Sequence, residues 1–353
     1  MALTVLSVAY PFAPVSPDTA GGAEQVLSML DRALVAAGHR SIVVACQGSV
    51  TAGRLIPVPR VVGGFDDTVR TQAEQRHRSV IAAALARWHV DVVHMHGIDF
   101  HSYLPPPGPA VLATLHLPID WYPAEALHMQ RRDVWLNCVS SSQHAEAGSL
   151  PNLLPPIENG VDVDLYVRNP VRRDFALMLG RICPERGIHL AIEAAKRAGI
   201  PLLICGDVYP YSTHRRYFRE EVLPRLDGLR RYLGPVGLAR KRRLLASARC
   251  VLMPSLVTEA SFLVAREAAA AGTAVIAFRQ GTLVDTVEHG RTGFLVDDVD
   301  GMVAAIRSVA EISRKTCREV AQRRFCVERM VDQYFSVYER LARMHAPVAQ
   351  GAA

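Results

Sequence analysis

The chain has 353 residues, of which 50% are hydrophobic and 21% are charged, and its formal net charge is +6. This length exceeds what one hydrophobic core usually serves, so it predicts two domains of roughly 160 residues each. No apolar run reaches the roughly 18 residues that a spanning helix needs, so we expect a soluble protein and exclude a helical integral membrane protein.

The N-terminal segment predicts a strand followed by a loop and a helix. Residues 2–14 are apolar but lack the basic start and the small-residue cleavage site of a signal peptide, so we interpret 3–8 as the first strand. Gly21 and Gly22 precede a helical pattern over 24–37. This glycine pair is either an ordinary loop that opens a helix or a loop whose backbone approaches a ligand closely.

Continuous apolar runs alternate with helical stretches along the whole chain. The segments 41–46 and 201–205 are examples of such runs. Parallel strands that are covered on both faces have this pattern. The predicted fold class is therefore α/β, with a doubly wound, Rossmann-like sheet in each of two domains.

Four histidines occur close together in the N-terminal half: His94, His96, His101 and His116. A metal site is one interpretation, but no acidic third ligand stands at close spacing. Packing or substrate contact is the other interpretation. We favour His116 as a substrate contact because it ends an apolar strand, where open α/β sheets form their ligand crevice.

The seven cysteines show no Cys-X-X-Cys spacing, and most of them lie inside apolar strands. This pattern predicts buried, reduced thiols in the cytoplasm. Cys183 lies in a loop instead, but a catalytic cysteine would also need a nearby base.

A basic, glycine-bounded loop follows the apolar run at 175–179. Gly180 and Arg181 open this loop, and Arg186 and Gly187 close it before a helical pattern begins. Two guanidinium groups in a loop between a strand and a helix suit a diphosphate whose charge must be neutralised as it leaves. Two solvated surface arginines are the alternative.

Basic residues also cluster at 215–219, at 230–231 and at 240–243. The clusters lack interleaved aromatic residues and any nucleic-acid-binding motif, so we do not expect a nucleic-acid partner. They predict a solvated helix face, or else a peripheral surface for anionic lipid or an anionic acceptor.

Two carboxylates, Glu259 and Glu267, stand eight residues apart at the start of a predicted helix. Eight helical residues span about 12 Å. The free amides of the first turn, around Ser261, Phe262, Leu263 and Val264, would offer an anion site between the two acids. An alanine-rich core helix with two solvated acids is the alternative.

Together, the Gly180-Arg181 loop and the Glu259 to Glu267 segment resemble the donor-binding half of glycosyltransferase family 4. These are retaining, nucleotide-sugar-dependent enzymes. Their pattern is Gly-Arg, a short loop and Lys-Gly, and later Glu, seven residues and Glu. The resemblance extends from about residue 3 to about residue 340, and Gly21-Gly22 matches the glycine loop that opens the family's first helix.

The resemblance implies the GT-B fold, in which two Rossmann-like domains face each other across a cleft. It further implies that Arg181 and Arg186 neutralise the departing diphosphate, that Glu259 orients the sugar and that Glu267 holds the ribose. His116 is implied to lie near the transferred sugar. Gly21, Gly22 and Gly180 are implied to line the donor site, together with the first turn of the helix.

The chain departs from the family pattern at two positions. Arg186 replaces the usual Lys, which keeps the positive charge. Phe262 replaces Gly in the family's Glu-X-Phe-Gly-Leu segment. The Phe262 ring must point either into the sugar pocket or into the core, and we predict the core because Leu263 and Val264 indicate an apolar face to receive it.

The expected organisation is an acceptor-side domain over 1–166, a nucleotide-sugar-binding domain over 167–325, a helix over 326–346 that returns to the first domain, and a tail over 347–353. Stretches 150–157 and 168–174 are the expected hinge. The expected activity is hexosyl transfer to a hydroxyl of a glycan, a lipid-linked acceptor or a small molecule, with no metal or other cofactor. We expect cytoplasmic localisation, with peripheral membrane contact as an additional expectation.

Two alternative functions remain open at this level. One is another enzyme on the same architecture, such as a nucleotide-sugar epimerase or a phosphorylase, although none of Lys196, Lys241 and Lys315 is well placed to anchor pyridoxal phosphate. The other is a non-catalytic nucleotide-sugar-binding partner subunit, which the replacement at Phe262 suggests.

Overall fold

The computed structural model describes residues 2–19, 21–60, 66–166 and 171–345. The chain forms two compact units. The first comprises Met1–Glu158 and Arg329–Ala353, and the second comprises Asn159–Glu328. Part of the predicted hinge, 168–170, and the predicted tail at 347–353 lie outside the described residues.

The first unit is built on a seven-stranded parallel sheet with the order β3-β2-β1-β4-β5-β6-β7. The order runs outward in both directions from β1, which is the doubly wound arrangement that the sequence predicts. The strands are β1 (Thr4–Val8), β2 (Arg40–Cys46), β3 (Arg54–Val58), β4 (Val92–Met95), β5 (Ala110–Leu115), β6 (Val134–Cys138) and β7 (Leu153–Leu154).

The helices that begin in this unit's first segment are α1 (Gly22–Ala36), α2 (Asp67–Arg87), α3 (Ala124–Leu127) and α4 (Ser141–Ala147). The first helix ends where predicted, because Gly38 takes a left-handed φ of 78° just after it.

The second unit has a six-stranded parallel sheet with the order β10-β9-β8-β11-β12-β13. Its strands are β8 (Ala176–Leu179), β9 (Leu202–Cys205), β10 (Arg230–Tyr232), β11 (Cys250–Met253), β12 (Ala274–Phe278) and β13 (Gly293–Val296). Its helices are α5 (Ile188–Ala198), α6 (Ser212–Tyr217), α7 (Leu238–Ser247), α8 (Leu263–Ala270), α9 (Leu283–Thr286), α10 (Val299–Ser308) and α11 (Arg314–Arg324).

Both faces of the second sheet are buried, which explains why its strands are continuously apolar. On β11, Val251 and Met253 belong to the core on one face, whereas Cys250 and Leu252 belong to the core on the other face. Side chains alternate between the faces of a strand, so a strand covered on both sides needs an apolar residue at every position.

The division between the units differs from the boundaries expected at 166 and 325. Val163 and Tyr166 pack into the core of the second unit, and Val161 pairs with Cys326 there. The segment 159–166 therefore folds with the second unit rather than the first. Phe325, the last residue of the expected nucleotide-sugar-binding domain, is part of the second unit's core.

The last helix, α12 (Val327–His345), belongs to the first unit from Arg329 onwards. Its buried residues are Met330, Tyr334, Tyr338 and Leu341. They recur at the three- and four-residue spacing of one helix face, as the sequence predicts. Among the residues described, no helix combines the length and the apolar character needed to cross a membrane.

Candidate donor site and catalytic residues

The loop between β8 and α5 begins at a very close contact between two strand ends. Gly180 ends β8 with φ 146°, and Gly206 ends β9 with φ 154°. A Cβ atom on Gly206 would overlap the carbonyl oxygen of Gly180. The positive φ favours glycine at both positions, and at Gly206 the lack of space also excludes a side chain.

The same loop ends at Gly187, which takes a left-handed φ of 63° immediately before α5. A Cβ atom there would overlap the carbonyl oxygen of Pro254. The Leu256 amide also donates a 2.8 Å hydrogen bond to the carbonyl of Glu185. The arginine loop is thus held against the loop that leads from β11 towards α8.

This contact brings together two residues that the sequence assigns to the donor site. The guanidinium Nη2 of Arg186 lies 2.7 Å from Oε2 of Glu259, and each side chain is 17% exposed. The Arg186 guanidinium carbon also lies 5.3 Å from the centroid of the Phe262 ring. Arg186 is therefore oriented by a carboxylate and by an aromatic face, and part of it stays accessible to a ligand.

The first turn of α8 supplies hydrogen-bond donors beside this ion pair. The helix starts at Leu263, so the amides of Leu263 and Val264 precede the first intrahelical hydrogen bonds. The buried hydroxyl of Ser261 has no hydrogen-bond partner among the described residues. A helix N-terminus with unused donors favours an anion.

The Phe262 ring is turned into the core of the second unit, where it is 2% exposed. This is the orientation that the sequence analysis predicts. Because the ring packs beneath the arginine rather than in open space, its replacement of glycine does not fill the region in front of the helix.

Glu267 is engaged with a residue that the sequence analysis assigns to a solvated face. Its Oε1 lies 2.6 Å from Nζ of Lys241, and the Glu267 residue is only 4% exposed. Burial and the nearby Glu267 carboxylate raise the pKa of Tyr166 above its usual value. The basic residues at 240–243 therefore differ in their exposure to solvent. Arg240 and Arg243 are exposed, whereas Lys241 is partly buried.

The remaining arginine of the loop, Arg181, lies with its guanidinium carbon 5.6 Å from the centroid of the Tyr209 ring. Tyr209 follows β9, so the neighbouring strand supplies an aromatic surface for this arginine.

Arg266, which sequence reasoning missed, lies on α8 next to Glu267 in the chain and is fully buried. Its guanidinium donates to the carbonyl of Asn159 and lies 5.0 Å from the centroid of the Phe325 ring. A charged residue in an alanine-rich helix is the only sequence signal for this role. Arg266 ties α8 to the chain segment that begins the second unit.

In the first unit, three of the four clustered histidines form a connected group. Nδ1 of His96 lies 3.0 Å from Nε2 of His116, and the rings of His94 and His96 are 3.9 Å apart. His94 is buried and lies 2.7 Å from both Thr114 Oγ1 and the Tyr338 hydroxyl. His94 is therefore a packing residue that fixes α12.

His116 is the more accessible member of this group and follows β5 directly. Burial lowers its pKa to about 3, so the imidazole is neutral near pH 7. Its hydrogen bond to His96 uses Nε2, which leaves Nδ1 for another partner. A neutral imidazole at a strand end can bind a hydroxyl but does not act as a strong acid.

Gly21 and Gly22 lie at the start of α1, with Gly21 as its N-cap residue. A Cβ atom on Gly21 would overlap the carboxylate of Glu24, which is itself 7% exposed. A side chain at position 21 would therefore require the end of the Glu24 side chain to move. Any role in ligand binding would be additional.

Comparisons with known proteins match each half of the chain to a glycosyltransferase family model. The model described as Glycosyltransferase Family 4 matches residues 20–165, and the model described as Glycosyl transferases group 1 matches residues 173–311. A phosphatidyl-myo-inositol mannosyltransferase of Mycolicibacterium smegmatis is 27% identical over 332 residues, which are 84% of this chain and 83% of that protein.

A lipopolysaccharide 1,2-N-acetylglucosaminetransferase of Salmonella typhimurium is 31% identical over 160 residues, which are 39% of this chain and 42% of that protein. Among solved structures, a glycosyltransferase involved in avilamycin A biosynthesis has a TM-score of 0.73 and 24% identity, and the match covers 97% of this chain and 98% of that one. The chain belongs to the family 4, group 1 glycosyltransferases with the GT-B fold, which use nucleotide-sugar donors.

Proposed function

We propose that this chain transfers a hexose from a nucleoside-diphosphate sugar to an acceptor hydroxyl and retains the anomeric configuration. The observation that carries the proposal is the ion pair of Arg186 with Glu259, held beside the free N-terminus of α8 by the hydrogen bond between the two loops. This arrangement puts a cation, a carboxylate and unused amide donors within one small region.

The diphosphate is assigned to Arg186, Arg181 and the first turn of α8. A guanidinium has five N–H donors, so Arg186 can keep a hydrogen bond to Glu259 while others turn to a phosphate oxygen. Charge that develops on the leaving diphosphate is then neutralised by groups already in place, which avoids reorganisation during the reaction.

The two glutamates take different parts of the donor. Glu259, beside Arg186, is assigned to the hydroxyls of the transferred sugar. Glu267 is assigned to the ribose, with Lys241 holding one of its carboxylate oxygens in position. A carboxylate fixed in this way accepts hydroxyl hydrogen bonds without a large loss of side-chain entropy.

The acceptor is assigned to the first unit, where neutral His116 uses Nε2 in its hydrogen bond to His96 and can offer Nδ1 to a hydroxyl. Family membership supports a mechanism in which the leaving phosphate accepts the acceptor proton on the same face of the sugar, so no side-chain nucleophile is required. Because the mannosyltransferase related over most of the chain is named for phosphatidyl-myo-inositol, a lipid-linked acceptor is included in the proposal.

Peripheral membrane contact is the second part of the proposal. Arg215, Arg216, Arg240 and Arg243 are exposed basic residues of the second unit. Exposed arginines favour anionic lipid surfaces at low ionic strength. Sedimentation with vesicles containing anionic lipid, compared with neutral vesicles, tests this part, and equal binding to both would refute it.

Transfer is also proposed to be independent of a divalent cation, because the arginines supply the positive charge that a cation would otherwise bring. Activity should persist in excess EDTA. Complete loss that manganese or magnesium restores would contradict this.

A thermal-stabilisation screen of nucleotide sugars tests the donor assignment. A ligand present at a hundred times its dissociation constant adds about 2.7 kcal/mol to the stability of the folded state. The best-stabilising nucleotide sugar is then assayed for transfer or slow donor hydrolysis. Failure of every nucleotide sugar and nucleoside diphosphate to stabilise the protein would refute the proposed donor site.

A further inference from the structure

A second cluster of reactive side chains lies on the arginine loop, outside the residues assigned to the donor. Cys183, Glu185 and His214 each offer a ligand atom, and these three atoms lie within 4.8 Å of one another. Cys183 and Glu185 follow β8, and His214 lies on α6, which follows β9. The parallel pairing of β8 and β9 brings the two segments to the same edge of the sheet.

From this geometry we propose that Cys183, Glu185 and His214 form a zinc site. Tetrahedral zinc with bonds of about 2.0 to 2.3 Å places its ligand atoms roughly 3.3 to 3.8 Å apart. The longest separation in the cluster therefore needs to contract by about 1.0 to 1.5 Å. Thiolate, imidazole and carboxylate are the ligand types that zinc accepts, and three protein ligands leave a fourth position for water.

The burial of the cluster supports a built site rather than a chance encounter of surface groups. Cys183 is 3% exposed and His214 is 9% exposed. The buried Nδ1 of His214 has no hydrogen-bond partner among the described residues. The Nδ1 atom of this imidazole can therefore coordinate a metal ion. Glu185 is partly exposed, so an ion can reach the site from solvent on that side.

Charge balance also favours a divalent ion. A Cys183 thiolate and the Glu185 carboxylate together neutralise Zn²⁺, so the bound site adds no net charge beside Arg181. Without metal, burial and a hydrogen bond to Glu185 raise the pKa of the Cys183 thiol to about 11. Zinc binding therefore displaces the thiol proton, which leaves as the Zn–S bond forms.

A bound ion would connect the arginine loop to α6. On its other side, the loop is held by the hydrogen bond that the Leu256 amide donates to the carbonyl of Glu185. Because Cys183 and Glu185 flank Pro184 and directly precede Arg186, zinc would fix the backbone that carries this arginine. The ion would stabilise the loop without contacting the donor, which is compatible with transfer in the presence of EDTA.

Cobalt titration of the purified full-length protein tests the site directly. Co²⁺ bound to a thiolate gives a near-ultraviolet charge-transfer band, and tetrahedral Co²⁺ gives strong visible bands. We expect one Co²⁺ per chain with both signals, and displacement by one equivalent of Zn²⁺. Cys183→Ser should abolish the charge-transfer band and weaken binding at least tenfold, and His214→Ala should weaken binding by a similar factor.

Cys326→Ser is the matched control, because Cys326 is a free, less buried thiol of the same unit. It should leave the cobalt spectrum unchanged. Circular dichroism and nucleoside diphosphate binding check that each variant is folded. The proposal is overturned if the protein binds no stoichiometric Co²⁺, or if folded Cys183→Ser keeps the charge-transfer band. Neither result would alter the proposed glycosyl transfer.

Discussion

Replacing Phe262 by glycine restores the family residue, yet the structure predicts a loss rather than a gain. The ring is 2% exposed in the core of the second unit, and removing a buried Phe side chain costs about 3 to 5 kcal/mol. The variant also loses the aromatic face beneath Arg186, an interaction of about 0.5 to 2 kcal/mol. We expect the free energy of unfolding to fall by at least 3 kcal/mol.

Urea unfolding measures this loss, and transfer by the folded variant measures its effect on activity. Phe262→Leu is the control, because it keeps much of the apolar volume but removes the aromatic face. It should lose about 1 to 2 kcal/mol. Arg186 should become less well oriented in both variants, so turnover should fall.

The reasoning is refuted if Phe262→Gly is as stable as the parent protein and turns over faster. That result would place the ring in the sugar pocket. If the natural protein binds nucleotide and never turns over whereas Phe262→Gly does, the chain is a nucleotide-sugar binder rather than an enzyme.

Three further predictions concern charge. Arg186→Ala should weaken nucleoside diphosphate binding by about 1.5 to 3 kcal/mol and abolish transfer, while Arg186→Lys should retain much of both binding and transfer. Calorimetry measures the binding and a turnover assay measures the transfer. Normal turnover by the alanine variant would contradict this prediction. Glu267→Ala should weaken nucleotide binding by about 1 to 3 kcal/mol, whereas Glu259→Ala should leave nucleotide binding unchanged and reduce transfer. Equal losses of nucleotide affinity in calorimetry would refute these separate roles of the two glutamates. Burial lowers the pKa of His77 to about 4 and that of His116 to about 3, so the unfolded chain binds protons that the folded chain does not. Each of these two histidines should therefore lower the free energy of unfolding by up to about 1.4 kcal/mol per pH unit as the pH falls below about 6.5. A His77→Phe variant whose free energy of unfolding changes with pH between 7 and 5 as steeply as that of the parent protein would contradict this.

The strands and the glycine positions are largely predictable from the sequence, because local physical constraints determine them. The apolar run at 41–46 corresponds to β2, and the run at 201–205 corresponds to β9. Gly180 and Gly187 both take positive φ, and at Gly187 the carbonyl oxygen of Pro254 also leaves no room for a side chain. Such constraints act within a few residues, so they leave a readable pattern.

The partners of charged residues are not predictable in this way, because they depend on which segments the fold brings together. Lys241 belongs to a basic run that suggests a solvated face, yet it pairs with Glu267 from another helix. Arg266 has no local feature that indicates complete burial. The cluster of Cys183 and His214 likewise depends on the pairing of β8 with β9.

The exact domain boundary is also not predictable from the sequence, because it depends on which distant segments pair. The Pro-rich stretch at 150–157, which we expect to be part of the hinge, ends next to Glu158, the last residue of the first unit's first segment. The residues that follow, 159–166, mix apolar and acidic residues and form no continuous apolar run that would indicate their domain. The pairing of Val161 with Cys326 and the packing of Val163 and Tyr166 assign them to the second unit.

The anomeric configuration of the transfer product tests the central claim most directly. The purified protein is incubated with its best-stabilising nucleotide sugar and an acceptor alcohol, and the product is analysed by proton NMR before it can equilibrate. The account predicts a product with the same anomeric configuration as the donor. An inverted product, or nucleotide-sugar binding with neither transfer nor donor hydrolysis, would contradict it.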